Sequence, residues 1–143
     1  MHKVTSKYTI RGPRQVGKTT FLKLYIKKLL ESGIPPSRIL FLTCDDLKDR
    51  FELIEVIKNF FQLYGKSGGI SYMFIDEITM IQDWQSGIKY LVDIGLLEDC
   101  LVVLTGSSAY DLKISSERLP GRKGYNRDLF FLPKGMDTLL STF

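Results

Sequence analysis

Four stretches of this chain are nearly unbroken apolar runs too short to be helices. They are Arg38-Ile39-Leu40-Phe41-Leu42-Thr43, Ser71-Tyr72-Met73-Phe74-Ile75-Asp76-Glu77, Cys100-Leu101-Val102-Val103-Leu104-Thr105 and Asp128-Leu129-Phe130-Phe131-Leu132. A strand with one wet face alternates apolar and polar residues; a strand covered on both faces reads as a run. Between the runs the apolar period changes to that of a helix. Phe21, Leu22, Tyr25, Ile26, Leu29 and Leu30 predict a helix over Lys18 to Ser32, stopped by Gly33. Ile54, Ile57, Phe61 and Tyr64 predict a second from about Leu47 to Tyr64. Asp83 is set to cap a third carrying Trp84, Ile88, Leu91 and Val92, ended near Gly95. Tyr8-Thr9-Ile10 adds a short first strand, and a short helix is expected after Ser107. This alternation implies an α/β fold, a three-layer sandwich around a mostly parallel five-stranded sheet. Parallel strands gather their C-terminal ends along one edge, where ligands of open α/β sheets bind.

At 143 residues the chain is expected to be a single domain. Hydrophobic residues make up 44% and charged residues 25%, as in soluble globular domains. No apolar run reaches the ~20 residues needed to span a bilayer, and MHKVTSKYTIRG lacks the apolar core of a signal peptide. Cys44 and Cys100 have no metal-ligand spacing and read as small buried thiols. A cytoplasmic location is the expectation. The net charge of +4 suits an anionic ligand, but the cations form no block that singles out nucleic acid.

The first strand runs into Gly12-Pro13-Arg14-Gln15-Val16-Gly17-Lys18-Thr19-Thr20. This fits G-x-x-x-x-G-K-[ST] at a strand-to-helix corner. The glycines let phosphate oxygens approach the main chain, and successive N–H groups form an anion nest. The helix behind adds its positive N-terminal end. Lys18 can reach β- and γ-phosphate oxygens, and Thr19 can place its hydroxyl on Mg²⁺. Lys23, Lys27 and Lys28 read as the solvated side of the helix.

A phosphate loop brings a metal, and the metal needs a carboxylate. Asp76, at the tip of the third strand, can hold the Mg²⁺, and Glu77 can orient the attacking water as general base. Asp45-Asp46 end the second strand in a similar way and read as a turn or helix cap. Leu104-Thr105-Gly106-Ser107-Ser108 places hydroxyls at a strand end, able to read a γ-phosphate or to cap a helix. Arg118, Arg122 and Lys123 lie in a loop containing Gly and Pro. Such a cation can stabilise developing charge in cis or on a neighbouring subunit, or be a solvated loop residue. Trp84 reads as helix packing, and His2 carries no role.

GPRQVGKTT, FIDEITMIQDWQSGIKYLVD, VVLTGSS and LPGR, in this order and spacing, resemble a prokaryotic group of AAA-type P-loop ATPases. The resemblance implies ATP as the nucleotide, a strand order of 5-1-4-3-2, and Asp76-Glu77 as the Walker B pair behind a Walker A loop at residues 12–20. It further implies Thr105 or Ser107 as the sensor position and Arg122 in the G-R element. Members of that group continue into a C-terminal region, so 1–143 reads as an ATPase core without a lid or partner domain. No Asn-Lys-x-Asp stretch for reading guanine occurs. The leading expectation is Mg²⁺-dependent ATP hydrolysis. A nucleotide-controlled switch that binds a protein partner and a DNA-associated ATPase are the other readings.

Overall fold

The computed structural model describes residues 6–11, 17–65, 69–106 and 126–130, the first and last of these segments as backbone only. Five strands are present: β1 (Ser6–Arg11), β2 (Ile39–Thr43), β3 (Ser71–Asp76), β4 (Cys100–Gly106) and β5 (Asn126–Phe130). Three helices stand between them: α1 (Lys18–Glu31), α2 (Arg50–Tyr64) and α3 (Trp84–Asp93). The strands pair side by side as β2-β3-β4-β1-β5, and every pairing is parallel.

The apolar runs of β3 and β4 are continuous because each of these strands supplies two cores. Met73 and Ile75 of β3, with Val102 and Leu104 of β4, pack with Leu53, Ile57, Phe60 and Phe61 of α2 and Trp84, Ile88 and Leu91 of α3. The intervening residues Phe74 and Val103 point to the other face, against Phe21, Leu22 and Tyr25 of α1. Tyr25 meets Phe74 edge-on, with ring centroids 5.5 Å apart. Trp84 is a packing residue, buried in the first of these cores.

Both α1 and α3 end as their glycines require. After α1, the Gly33 N–H donates to Leu30 O and the Ile34 N–H to Leu29 O, each at 3.1 Å. After α3, the Gly95 N–H donates to Val92 O at 3.0 Å and the Leu96 N–H to Leu91 O at 3.1 Å. This double closure needs a left-handed residue, and Gly33 and Gly95 supply it at φ 100° and 80°.

Several boundaries differ from the sequence reading. Helix α2 starts at Arg50 rather than Leu47, because Asp49 is its N-cap and accepts the Glu52 N–H at 2.9 Å. Asp83 does occupy the N-cap position of α3, but makes no side-chain cap. Its backbone is left-handed (φ 57°) rather than extended, and its carboxylate reaches Arg50 Nη1 at 3.6 Å instead. Leu30 and Tyr64, placed on the apolar faces by their spacing, are exposed. Strand β5 begins two residues earlier than expected. The expected helix after Ser107 lies outside the described residues.

Candidate functional site

Strand register fixes where the chemistry gathers. Ile75 of β3 pairs with Leu104 of β4, so Asp76 and Thr105 end adjacent strands together. Arg11, the last residue of β1, pairs with Gly106. β1 therefore ends beside the end of β4, and α1 begins at the same edge of the sheet, where Thr19 meets Asp76.

The start of α1 is chemically unusual. Its N-cap is Gly17, at φ 90° and ψ 19°, with no side chain to cap the first turn and no acidic residue in that turn. An α-helix leaves its first N–H groups without intrahelical acceptors, and here no carboxylate of the helix offsets the positive end. Lys18 follows at once and is only 3% exposed. Gly17, Lys18, Thr19, Thr20 and Glu77 line a cleft of about 270 Å³. The N-terminal end of α1 favours an anion there, and Glu77 adds a carboxylate to the same lining.

Asp76 ties α1 to β4. The Thr19 hydroxyl donates to Asp76 Oδ2 at 2.6 Å, across 57 residues of sequence. The Thr105 hydroxyl donates to Asp76 Oδ1 at 2.5 Å. The same Thr105 oxygen accepts the Glu77 N–H at 2.9 Å. Asp76 is 3% exposed and Thr105 fully buried. Among the described residues Asp76 has two hydroxyl partners and no ion pair. A buried carboxylate satisfied only by hydroxyls is suited to a cation from outside the protein.

The donor set also limits which cation. Among the described residues no group of three or more His, Cys, Asp or Glu could hold a metal alone. One carboxylate and one hydroxyl oxygen suit Mg²⁺, which keeps several waters and takes further oxygens from phosphates. Zinc or a softer metal would want nitrogen or sulfur ligands.

Glu77 leaves β3 in a left-handed conformation, φ 56° and ψ 44°. That costs a non-glycine residue about 1 kcal/mol or more, so neighbouring contacts must hold it there. The cleft has a third strand end beside it. Cys44, just past β2, is 1% exposed, and its thiol is pushed up from 9.0 to about 12. Burial is the main cause, followed by the nearby charges of Asp76, Asp45 and Glu77.

Of the residues singled out in the sequence, Lys18, Thr19, Thr20, Asp76 and Glu77 come together, with Gly17, at this corner. Thr105 is there too, but its hydroxyl faces Asp76 and Glu77 inside the protein rather than the cleft. Asp45 and Asp46 form a helical turn after β2, with the Asp45 N–H at 3.5 Å from Thr43 Oγ1. Gly12, Pro13, Arg14, Gln15, Val16, Ser107, Arg118, Arg122 and Lys123 lie outside the described residues. Spacing alone missed the link between Asp76 and Glu77 through Thr105. The available signal was a lone hydroxyl ending a wholly apolar run, which must find a partner when buried.

No helix among the described residues is long and apolar enough to cross a membrane. No curated protein matches the chain. A family model described as an AAA domain matches residues 5–133, which takes in every strand of the sheet and the whole of the cleft. The chain therefore belongs to the AAA domain family, with an AAA-type P-loop ATPase-like core built for nucleotide binding.

Proposed function

We propose that this chain binds ATP with Mg²⁺ at the α1 corner and hydrolyses it, as one ATPase core over residues 1–143. The observation that carries the reading is the 2.6 Å hydrogen bond from Thr19 to Asp76. It joins the hydroxyl behind the G-K pair to the carboxylate at the end of β3, the two oxygens that Mg²⁺ needs from the protein. Strand pairing in the order β5-β1-β4-β3-β2 supports a P-loop core.

Each group then has a task. In this reading residues 12–20 are the phosphate loop: the N–H groups of Gly12, Arg14, Gln15, Val16 and Gly17 donate to the phosphates, Pro13 belongs to the loop without donating, and the N–H groups of Lys18, Thr19 and Thr20 continue the nest into α1. The Lys18 ammonium sits against the β- and γ-phosphates and favours the charge that gathers there during transfer. Thr19 and Asp76 would hold the Mg²⁺, which when bound neutralises charge on the phosphate oxygens. Thr19 can do so while still donating to Asp76, because a hydroxyl has one proton and two lone pairs. Glu77, in the lining of the same cleft, orients a water and takes its proton as that water attacks the γ-phosphate. Ser107 reads the γ-phosphate, and Arg122 stabilises the developing charge. The location is cytoplasmic.

The test is turnover of ATP by Glu77→Gln against the unmodified chain. Loss of a positioned base is expected to lower kcat by about 10²- to 10⁴-fold with ATP still bound. Unchanged turnover would remove Glu77 from the mechanism, and a chain that binds ATP without hydrolysing it would be a nucleotide-controlled binding switch.

A further inference from the structure

We propose that Thr105 is a positioning residue whose single buried hydroxyl sets both carboxylates of the site, Asp76 and Glu77. The inference rests on the ATPase reading above and deepens it.

Hydrogen-bond direction is settled by chemistry. The Glu77 N–H can only donate, so Thr105 Oγ1 accepts from it, at 2.9 Å. An ionised carboxylate can only accept, so the one proton of Thr105 goes to Asp76 Oδ1. That proton is then not free for a phosphate. Thr105 is also fully buried and does not line the cleft. It does not read the nucleotide; it acts through its two neighbours.

Both neighbours need holding. Asp76 Oδ1 is fixed by Thr105 of β4 and Oδ2 by Thr19 of α1, so the carboxylate plane is pinned from two elements. Glu77 is a non-glycine residue in a left-handed conformation at the point where the chain leaves β3. The bond from its N–H to Thr105 lies at that bend. Packing from the next residue acts in the same place. A Cβ added to Gly106 would sit 2.6 Å from Thr79 Cγ2 and 2.9 Å from Thr79 Oγ1, so the turn that follows Glu77 rests directly on the end of β4. Thr105 holds the turn by its hydroxyl, and Gly106 admits it by having no side chain.

Thr105→Val keeps the shape and removes the hydroxyl. With Glu77 no longer held by that hydroxyl and Asp76 held by Thr19 alone, kcat is expected to fall about 100-fold, the scale of a small misplacement of catalytic groups. The KM for ATP and the Kd for ADP are expected to stay near those of the unmodified chain, because Lys18 and the loop amides are untouched. Thr105→Ser restores the hydroxyl and is expected to recover most of kcat. Gly106→Ala displaces the turn without removing a hydrogen bond and is expected to lower kcat with KM held; it carries the test with Thr105→Ser if Thr105→Val does not fold. Unchanged kcat in Thr105→Val would overturn the proposal. So would parallel loss of kcat and nucleotide affinity that serine does not rescue, since that marks a merely structural residue. If Thr105→Val does not fold, normal kcat in Gly106→Ala or a kcat in Thr105→Ser as low as that of Glu77→Gln would overturn it. Glu77→Gln measured alongside separates the two levels: if it turns over normally the ATPase reading itself fails, whereas if it is inactive while Thr105→Val turns over normally only the role of Thr105 fails.

Discussion

Asp76 joins two parts of the fold through one side chain, Oδ2 accepting from Thr19 of α1 and Oδ1 from Thr105 of β4. Replacing it with asparagine leaves an oxygen for one hydroxyl but removes the charge that, in the proposed function, attracts a divalent ion. Asp76→Asn is expected to raise the Mg²⁺ concentration needed for half-maximal turnover by tenfold or more, about 1.4 kcal/mol per factor of ten; an unchanged Mg²⁺ titration would take Asp76 out of the metal site. Cys44 reports on the same corner through pH. Its thiol titrates near 9.0 when unfolded and near 12 when folded. Above pH 9 the unfolded chain releases this proton while the folded chain keeps it, so folding is progressively opposed from pH 9 up to about 12 and unaffected below. The unmodified chain should therefore lose stability across this window more steeply than Cys44→Ala, by up to about 1.4 kcal/mol per pH unit. Urea melts at pH 8 and pH 10.5 would show it, and equal slopes for both chains would contradict it. At this scale the sequence was informative wherever a residue acts locally. Lys18 and Thr19 stand out by their spacing and the Asp76-Glu77 pair only once the phosphate loop is in place, whereas the two hydrogen-bond partners of Thr105 depend on the β3–β4 register.

Helices and turns follow local rules more closely than single side chains do. The stops of α1 and α3 were legible because glycine is the residue that takes a left-handed turn freely, and both glycines do so. Gly95 tests this directly: a Cβ there meets nothing within 4 Å, so Gly95→Ala should cost only its backbone strain, about 1–2 kcal/mol in thermal or urea unfolding. No measurable loss would mean that α3 can end another way. The starts were harder to read. Three acids, Asp45, Asp46 and Asp49, precede α2, and only the structure shows that Asp49 caps it. Removing that cap in Asp49→Ala is expected to cost about 1 kcal/mol of stability without changing ATP affinity. Asp83 has the right residue type at the right position, yet its left-handed backbone turns it to Arg50 instead. Cap geometry depends on how the chain arrives from the preceding turn, and composition does not record that.

For the molecule as a whole, the layered α/β arrangement was the most legible feature, because a strand covered on both faces cannot hide its apolar run. Leu53, Ile57, Met73, Phe74, Val102 and Leu104 are all fully buried. What spacing could not give was which apolar residues stay outside, as Leu30 and Tyr64 do. A core that fills both faces of the sheet also keeps the edge where β1, β3 and β4 end in fixed register, and Lys18, Asp76 and Glu77 meet at that edge. The proposed function therefore requires that this edge take a metal-bound triphosphate. Calorimetric titration of ATP into the chain, with and without Mg²⁺ and repeated on Lys18→Ala, measures this directly. Saturable binding that strengthens with Mg²⁺ and is lost in Lys18→Ala is the predicted result; no binding, or binding that neither Mg²⁺ nor the lysine alters, would contradict it.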